Sequence, residues 1–347
     1  MIDSLVEKLE KKVVLADGAM GTYFSQKYMT EMEAEEANIA TPERIIAIHK
    51  EYIEAGAELI RTNTFAVNHG LFAEAERRKE VIEAAVANAR EAVRQSRKEV
   101  VVAASVGPIR QSAEEEDGEI WKEYTQMLDV FYTLGIRVFL FETFSELRWL
   151  PKLAKYCKNK EEQTVVIAEL ALNPMGYTQH GFGMTEILQE LTSDVNFDIV
   201  GFNCGVGALH MKKLLQSQKF PKEFLLSVFP NAGYQQEMQG RTLVFHDTAY
   251  YAGQMKEILA LGANLVGGCC GTTPGHIRAL KKVVQEQVRP KKLAKENENL
   301  GEVKDNPTPF IRKLRGGKKV FVVELDAPFD ASSDKFRKGV CALQENG

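Results

Sequence analysis

The 347-residue chain predicts an α/β fold of the closed (β/α)8 TIM-barrel type, followed by a linker and the truncated start of a second domain. Three observations predict it. Short, almost wholly apolar runs recur along the first 289 residues, as parallel strands covered on both faces should read. Segments of helical period separate these runs. Polar and reactive residues gather just behind the runs, and in a barrel those positions share one mouth, at the carboxyl ends of the strands. An open doubly wound sheet is the alternative. Eight units in about 270 residues, with no glycine fingerprint after the first strand, favour closure.

The elements follow in order. A short amphipathic segment, Ser4 to Glu10, precedes the first strand, Val13 to Ala16, which ends in Asp17-Gly18-Ala19-Met20-Gly21-Thr22. Thr41 and Pro42 open a helix that runs to Glu54, with Thr41 as N-cap and Pro42 at the first helical position. The second strand, Leu59-Ile60, ends in Arg61-Thr62-Asn63-Thr64-Phe65. A helix from about Lys79 to Ser96 leads to the third strand, Val100 to Ser105, which breaks at Gly107-Pro108. A helix near Ile120 to Leu134 leads to the fourth, Val138 to Phe141, ending Glu142-Thr143.

A helix from about Glu146 to Tyr156 leads to the fifth strand, Val165 to Ala168, ending Glu169-Leu170. Another near Met184 to Leu191 leads to the sixth, Ile199-Val200, ending Asn203-Cys204. Ala208 to Ser217 leads to the seventh, Phe224 to Val228, ending Pro230-Asn231-Ala232-Gly233. Thr248 to Leu261 leads to the eighth, Ala263 to Val266, which runs into Gly267-Gly268-Cys269-Cys270-Gly271-Thr272-Thr273-Pro274. Thr273 and Pro274 then start a closing helix that reaches about Val288. Residues 1–289 form the barrel. Residues 290–317 are polar, carry Pro307 and Pro309, and read as a linker. Residues 318–347 begin a new domain with the strand Val320 to Leu325.

Charge and cysteine usage exclude several classes. The formal net charge is −4, which does not point to nucleic acid or an anionic membrane as partner. No apolar run approaches the roughly 18–20 residues that a membrane span needs. Five cysteines without framework spacing fit a reducing, cytoplasmic setting in which thiolates stay available to metal.

Cys269 and Cys270 are the informative pair. Neighbours on a regular strand point to opposite faces. For both to meet one ion the backbone has to leave strand geometry, and the flanking glycines permit that. Cys204, also just behind a strand, supplies a third thiol. The reading is a zinc ion on Cys204, Cys269 and Cys270 with the fourth position open, as catalytic zinc sites keep it. Cys157 and Cys341 read as bystanders, and Glu169 as a loop-facing acid.

Taken together, Asp17-Gly18-Ala19-Met20-Gly21-Thr22, Thr62-Asn63-Thr64-Phe65, Phe141-Glu142-Thr143-Phe144, Asn203-Cys204 and Gly268 to Pro274 resemble the zinc-dependent homocysteine S-methyltransferase family over roughly residues 5–288. The resemblance implies L-homocysteine as acceptor, Zn2+ on the three cysteines, and a small, corrinoid or folate methyl donor. Asp17 and Glu142 are the acids expected at the substrate ammonium, and the backbone N–H groups of Gly18 and Ala19 at its carboxylate. Asn63 and Thr64 are pocket-wall candidates, and Asn231 is the candidate resting ligand of the metal. Another small thiol or selenol as acceptor, or a role as the homocysteine module of a cobalamin-dependent methionine synthase, fits the same residues. The tail Val323-Glu324-Leu325-Asp326-Ala327-Pro328 resembles the first strand of methylenetetrahydrofolate reductase. That implies a bifunctional parent whose FAD and folate sites lie in a missing C-terminal part, with Glu324 as the folate-protonating acid.

Overall fold

The computed structural model describes residues 5–111, 115–218, 224–233, 235–238, 241–244 and 247–286. The described residues all fall within one compact unit, Met1–Lys295. The expected linker, the strand Val320 to Leu325 with Glu324, and Cys341 lie outside the described residues.

Within that unit, β1 (Val14–Leu15), β2 (Leu59–Arg61), β3 (Val101–Val106), β4 (Val138–Phe144), β5 (Val165–Leu170), β6 (Ile199–Gly207), β7 (Leu225–Asn231) and β10 (Ala263–Val266) form one sheet. Their spatial order is β1-β10-β7-β6-β5-β4-β3-β2, and every pairing is parallel. A parallel bridge between Ala16 and Leu59 joins the two ends. The Asp17 N–H donates to the Leu59 carbonyl at 3.0 Å and the Glu58 N–H to the Leu15 carbonyl at 2.7 Å. The barrel is therefore closed, as the sequence predicts. Parallel neighbours need crossovers, and helices α4 (Pro42–Ala55), α5 (Ala75–Ser96), α6 (Asp117–Thr133), α7 (Leu150–Lys160), α8 (Met184–Ser193), α9 (Ala208–Gln216), α10 (Thr248–Ala260) and α11 (Pro274–Glu286) supply or follow them.

Two apolar layers result. Outward strand residues pack under the helices in the larger cluster, which includes Ile60, Ala104, Phe139, Phe141, Val166 and Val200. Alternate residues face the barrel axis: Val14, Ala16, Leu59, Ala103, Leu140, Ile167, Ile199 and Leu265 form a second cluster. Helix α1 (Leu5–Lys11) adds Leu5 and Leu9 to that cluster. The amphipathic N-terminal segment is thus the plug at the bottom of the barrel.

Several boundaries differ from expectation for local reasons. Helix α7 begins at Leu150 rather than near Glu146, with Pro151 in its first turn, where a missing N–H costs nothing. Thr41 precedes Pro42 as expected, but its hydroxyl makes no capping bond, because the single turn α3 (Ala37–Ala40) runs straight into the junction. Asp247 does cap α10, accepting from the N–H groups of Ala249 and Tyr250. Helix α2 (Gly21–Tyr28), α3 and the antiparallel hairpin of β8 (Gln235–Met238) and β9 (Arg241–Val244) carry too little apolar periodicity to be read from sequence.

Candidate active site

The strand pleat sets which side chains reach the mouth. Two residues after the inward-facing Leu59, Ala103, Leu140 and Ile167 stand Arg61, Ser105, Glu142 and Glu169, and the period of two aims them at the same axis one layer higher. All four are buried. The upper interior of the barrel is polar where the lower interior is hydrocarbon.

Arg61 organises this upper layer. Its Nε donates to Asp17 Oδ1 at 2.8 Å and its Nη1 to Glu142 Oε2 at 2.8 Å. Nη2 donates to the carbonyls of Gly18 (2.7 Å) and Gly268 (2.9 Å), while the Arg61 backbone N–H donates to Asp17 Oδ2 (2.9 Å). The Phe229 ring stands against the guanidinium, 5.1 Å from Cζ to the ring centroid. Burial alone disfavours a charged guanidinium, but the carboxylates of Asp17 and Glu142 outweigh it and hold Arg61 firmly protonated. Burial pushes Asp17 up despite the opposing pull of Arg61. Glu142 also accepts from the Ser105 hydroxyl and, at 3.4 Å, from Asn203 Nδ2.

Sequence reasoning passed over Arg61. An arginine closing a strand reads as solvated, and its role depends on acids delivered by two other strands. The signal available was its even spacing from Leu59. Glu169 corrects an expectation outright: it is fully buried inside the barrel, not loop-facing. Its carboxylate oxygens make no well-formed hydrogen bond among the described residues, with the Ser227 hydroxyl the polar group nearby. Burial, reinforced by Glu142, pushes it up to about 8.

The three expected sulfurs converge. The Sγ atoms of Cys204, Cys269 and Cys270 lie within 4.8 Å of one another, with Cys204 and Cys270 3.8 Å apart. Among the described residues this is the one such cluster of metal-ligating side chains. Cys204 sits at φ 54°, in the left-handed region, followed by Gly205 at 68°. The β6–β7 register shifts there, between Asn203 and Gly207. Beyond β10, Cys269 donates its N–H to the Pro230 carbonyl (2.9 Å), and Cys270 accepts at its carbonyl from Ala232 (3.0 Å). Gly271, at φ 77°, completes the departure from strand geometry that the adjacent pair required.

Hydrogen bonds from Cys269 and Cys270 pull Cys204 down toward the thiolate, and the same contacts hold Cys269 and Cys270 up. Three thiols so close cannot all ionise without a compensating cation. Asn231 also directs its side chain to Cys204, and its buried Oδ1 has no partner. An amide turned about its last bond would present that oxygen instead. The donor set therefore fits a zinc ion: three thiolates, with one unspent amide oxygen beside them.

A cavity of about 270 Å³ opens over these groups, lined by Asp17, Ala19, Glu142, Cys204, Cys269 and Cys270 among others. Asn63 and Thr64 line it too, but their polar atoms are engaged locally. Asn63 Nδ2 donates to the Ala34 carbonyl (2.6 Å) and the Thr64 hydroxyl to the Ser105 carbonyl (2.7 Å). The Ala19 N–H donates to Thr272 Oγ1 at 3.0 Å. Cys157 is buried away from the cavity, and burial pushes its thiol up to about 12, the state of an inert side chain.

Comparison with known proteins bears on the family and the fold. The family model described as homocysteine S-methyltransferase matches residues 14–284. The chain is 29% identical over 319 residues to methionine synthase of Mycobacterium tuberculosis, covering 83% of this chain and 26% of that protein. The methionine synthase of Mycobacterium leprae is 28% identical over 309 residues, covering 81% of this chain and 25% of that one. The chain thus spans about a quarter of the length of these curated relatives. The metallated form of the homocysteine methyltransferase MmuM of Escherichia coli superposes with a TM-score of 0.66 at 22% identity, covering 79% of this chain and 96% of that one. At that identity the likeness speaks for the fold. Among the described residues no helix is long and apolar enough to cross a membrane.

Proposed function

The chain belongs to the homocysteine S-methyltransferase family and is a methyltransferase; from that premise we propose that its barrel mouth binds L-homocysteine and transfers a methyl group to the homocysteine sulfur, giving methionine. The observation that carries the reading is the convergence of Cys204, Cys269 and Cys270 beside two buried carboxylates. Those cysteines would hold zinc, with Asn231 as the resting fourth ligand. A bound zinc ion supplies a position at which an incoming thiol loses its proton at neutral pH and stays fixed in place.

The protein's own groups account for the rest of the substrate. Asp17 and Glu142 carry two negative charges against the single positive charge of Arg61. One unit remains for the substrate ammonium, bound by charge-assisted hydrogen bonds. The backbone N–H groups of Gly18 and Ala19 receive the carboxylate, with Ala19 giving up or sharing its bond to Thr272. Asn63 and Thr64 shape the wall. The sulfur, held at one end while the amino acid is held at the other, attacks the donor methyl in line. The S–CH3 bond forms as the methyl–donor bond breaks, its electron pair leaving on the donor.

The donor belongs to the small, corrinoid or folate methyl carriers. The proposal extends to a cytoplasmic setting, which keeps the three thiols reduced, and to residues 290–317 as a linker into a methylenetetrahydrofolate reductase-like domain that starts at 318–347.

X-ray absorption of the zinc-loaded protein tests the centre: homocysteine should raise the sulfur count at the metal from three to four, and Cys204→Ala should lose both zinc and methionine formation. Zinc retained by Cys204→Ala, or a sulfur count unmoved by homocysteine, defeats the reading. A screen of methylcobalamin, methylfolate, S-methylmethionine and S-adenosylmethionine, read as methionine, assigns the donor.

A further inference from the structure

Two irregular turns stand at the same height of the barrel. On β4, Phe141 pairs with Ala168 and Phe144 with Leu170, so three steps along β4 match two along β5. The extra residue is taken up at Glu142 and Thr143, and Thr143 lies at φ 63°. A β-branched residue in the left-handed region is an outlier that its surroundings must enforce. On β6, Asn203 pairs with Phe229 and Gly207 with Asn231, so four steps match two, and Cys204 begins that turn. Bulges of this kind re-aim side chains beside active sites.

One side chain joins the two turns, across the intervening β5. Asn203 is fully buried. Its Oδ1 accepts the Thr143 backbone N–H at 2.9 Å. Its Nδ2 donates to Thr143 Oγ1 at 2.8 Å and to Glu142 Oε2 at 3.4 Å. The amide therefore grips Thr143 at both backbone and side chain, with one further bond to Glu142. Its own backbone leads directly into Cys204. Among the described residues no other side chain is bonded both to the left-handed turn and to the acid it aims.

We propose that Asn203 is a positioning residue for amino-group recognition: by holding Thr143 in its left-handed conformation it aims the Glu142 carboxylate at the substrate ammonium. This rests on homocysteine being the ligand of the mouth. Asn203 acts on the ammonium end through Glu142, while the sulfur end is set by the cysteines. The two ends can thus be separated by choice of ligand.

Calorimetry on the zinc-loaded protein provides the test, with L-homocysteine and with 4-mercaptobutanoate, the same thiol acid lacking the amino group. Asn203→Ala should weaken homocysteine about tenfold or more, the scale of an unsupported left-handed residue. It should change 4-mercaptobutanoate by less than about threefold and keep its zinc. Adding Thr143→Gly should recover most of the homocysteine affinity, since glycine adopts that φ without a Cβ clash. A role confined to packing predicts no such recovery. Should Asn203→Ala not fold, the isosteric Asn203→Asp keeps the acceptor for Thr143 N–H and loses both donated bonds. It should also weaken homocysteine about tenfold.

Unchanged homocysteine affinity in the variant that folds, equal losses for both thiols, or a double variant no better than Asn203→Ala each overturn the proposal. Wild-type protein that binds no homocysteine overturns both this inference and the acceptor assignment, whereas wild-type binding with an indifferent Asn203 variant overturns this inference alone.

Discussion

The lower and upper halves of the barrel interior are built by the same strands and differ by two to four residues along them. Below, Val14, Ala16, Leu59, Ala103, Leu140, Ile167 and Ile199 meet one another and the plug from α1. Each valine, leucine or isoleucine among them contributes on the order of 1.5–3 kcal/mol by leaving water. Above, Arg61, Ser105, Glu142, Glu169, Asn203 and Ser227 are equally buried. There the interior holds acids in excess of cations, a buried carboxyl whose near polar neighbour is only the Ser227 hydroxyl, and left-handed residues at 143 and 204. The lower layer favours the fold. The upper layer costs stability, and the proposed function has the ligand's charges complete it. A barrel separates the two tasks by height, so a substitution's effect should depend on which layer it enters more than on how deeply it is buried.

Arg61 offers the largest effect with which to break that comparison. Arg61→Met keeps a long apolar stem and leaves Asp17 and Glu142 buried without their cation. Removing one partner of a buried ion pair costs about 3–5 kcal/mol. Urea unfolding should show a loss of that size, and homocysteine binding should fail because the two acids no longer hold fixed positions. A loss under about 1 kcal/mol, the worth of a surface pair, would mean that the upper layer is wet and that the contrast between layers is false.

The parts of this arrangement that could be read from sequence are those set by local pattern. Apolar runs and helical periods marked all eight strands and the helices that cross between them. The glycine-flanked Cys269-Cys270 and the strand-end Cys204 marked the sulfur cluster, because two cysteines in succession need an abnormal backbone to cooperate. What escaped depends on convergence. Arg61 has meaning only with Asp17 and Glu142 around it, and these come from residues 44 and 81 positions away. Glu169 lies just past an apolar run, which is where a loop acid would also lie. Only the register of β5 against β4 and β6 turns it inward.

Glu169→Gln sharpens the comparison through pH. The Glu169 carboxyl faces Glu142, Arg61, Asp17 and Ser227. Its folded value of about 8 stands above the ordinary carboxyl value of 4.5 expected in the unfolded chain. Folded protein therefore binds the extra proton between those values, and stability falls as pH rises through that window. The contribution is intact below about 4.5 and lost above about 8. Its slope approaches 1.4 kcal/mol per pH unit, or roughly 5 kcal/mol across the window. Asp17 and Glu35 are raised by burial too, so the difference between wild type and Glu169→Gln isolates the one group. Denaturation at pH 5, 7 and 9 should give a flatter profile for the variant; parallel profiles would place an ionised, solvated Glu169 at pH 7.

Two residues earlier on the same strand, Ile167→Val provides the smallest effect and the cleanest control. Ile167 is fully buried in the lower cluster, with Ala168 and Glu169 following it on β5. Removing one methylene there deletes hydrocarbon contacts and nothing else, a cost of about 0.5–1.5 kcal/mol. No charge changes, so the loss should be the same at pH 5 and pH 9. Homocysteine affinity should stay at the wild-type value, because the proposed ligand contacts begin one layer higher. If Ile167→Val instead weakened homocysteine binding in step with its stability loss, the two layers would be packed as a single unit. The hydrocarbon floor would then set the geometry of the acids above it, and height along the strand would no longer separate folding from function.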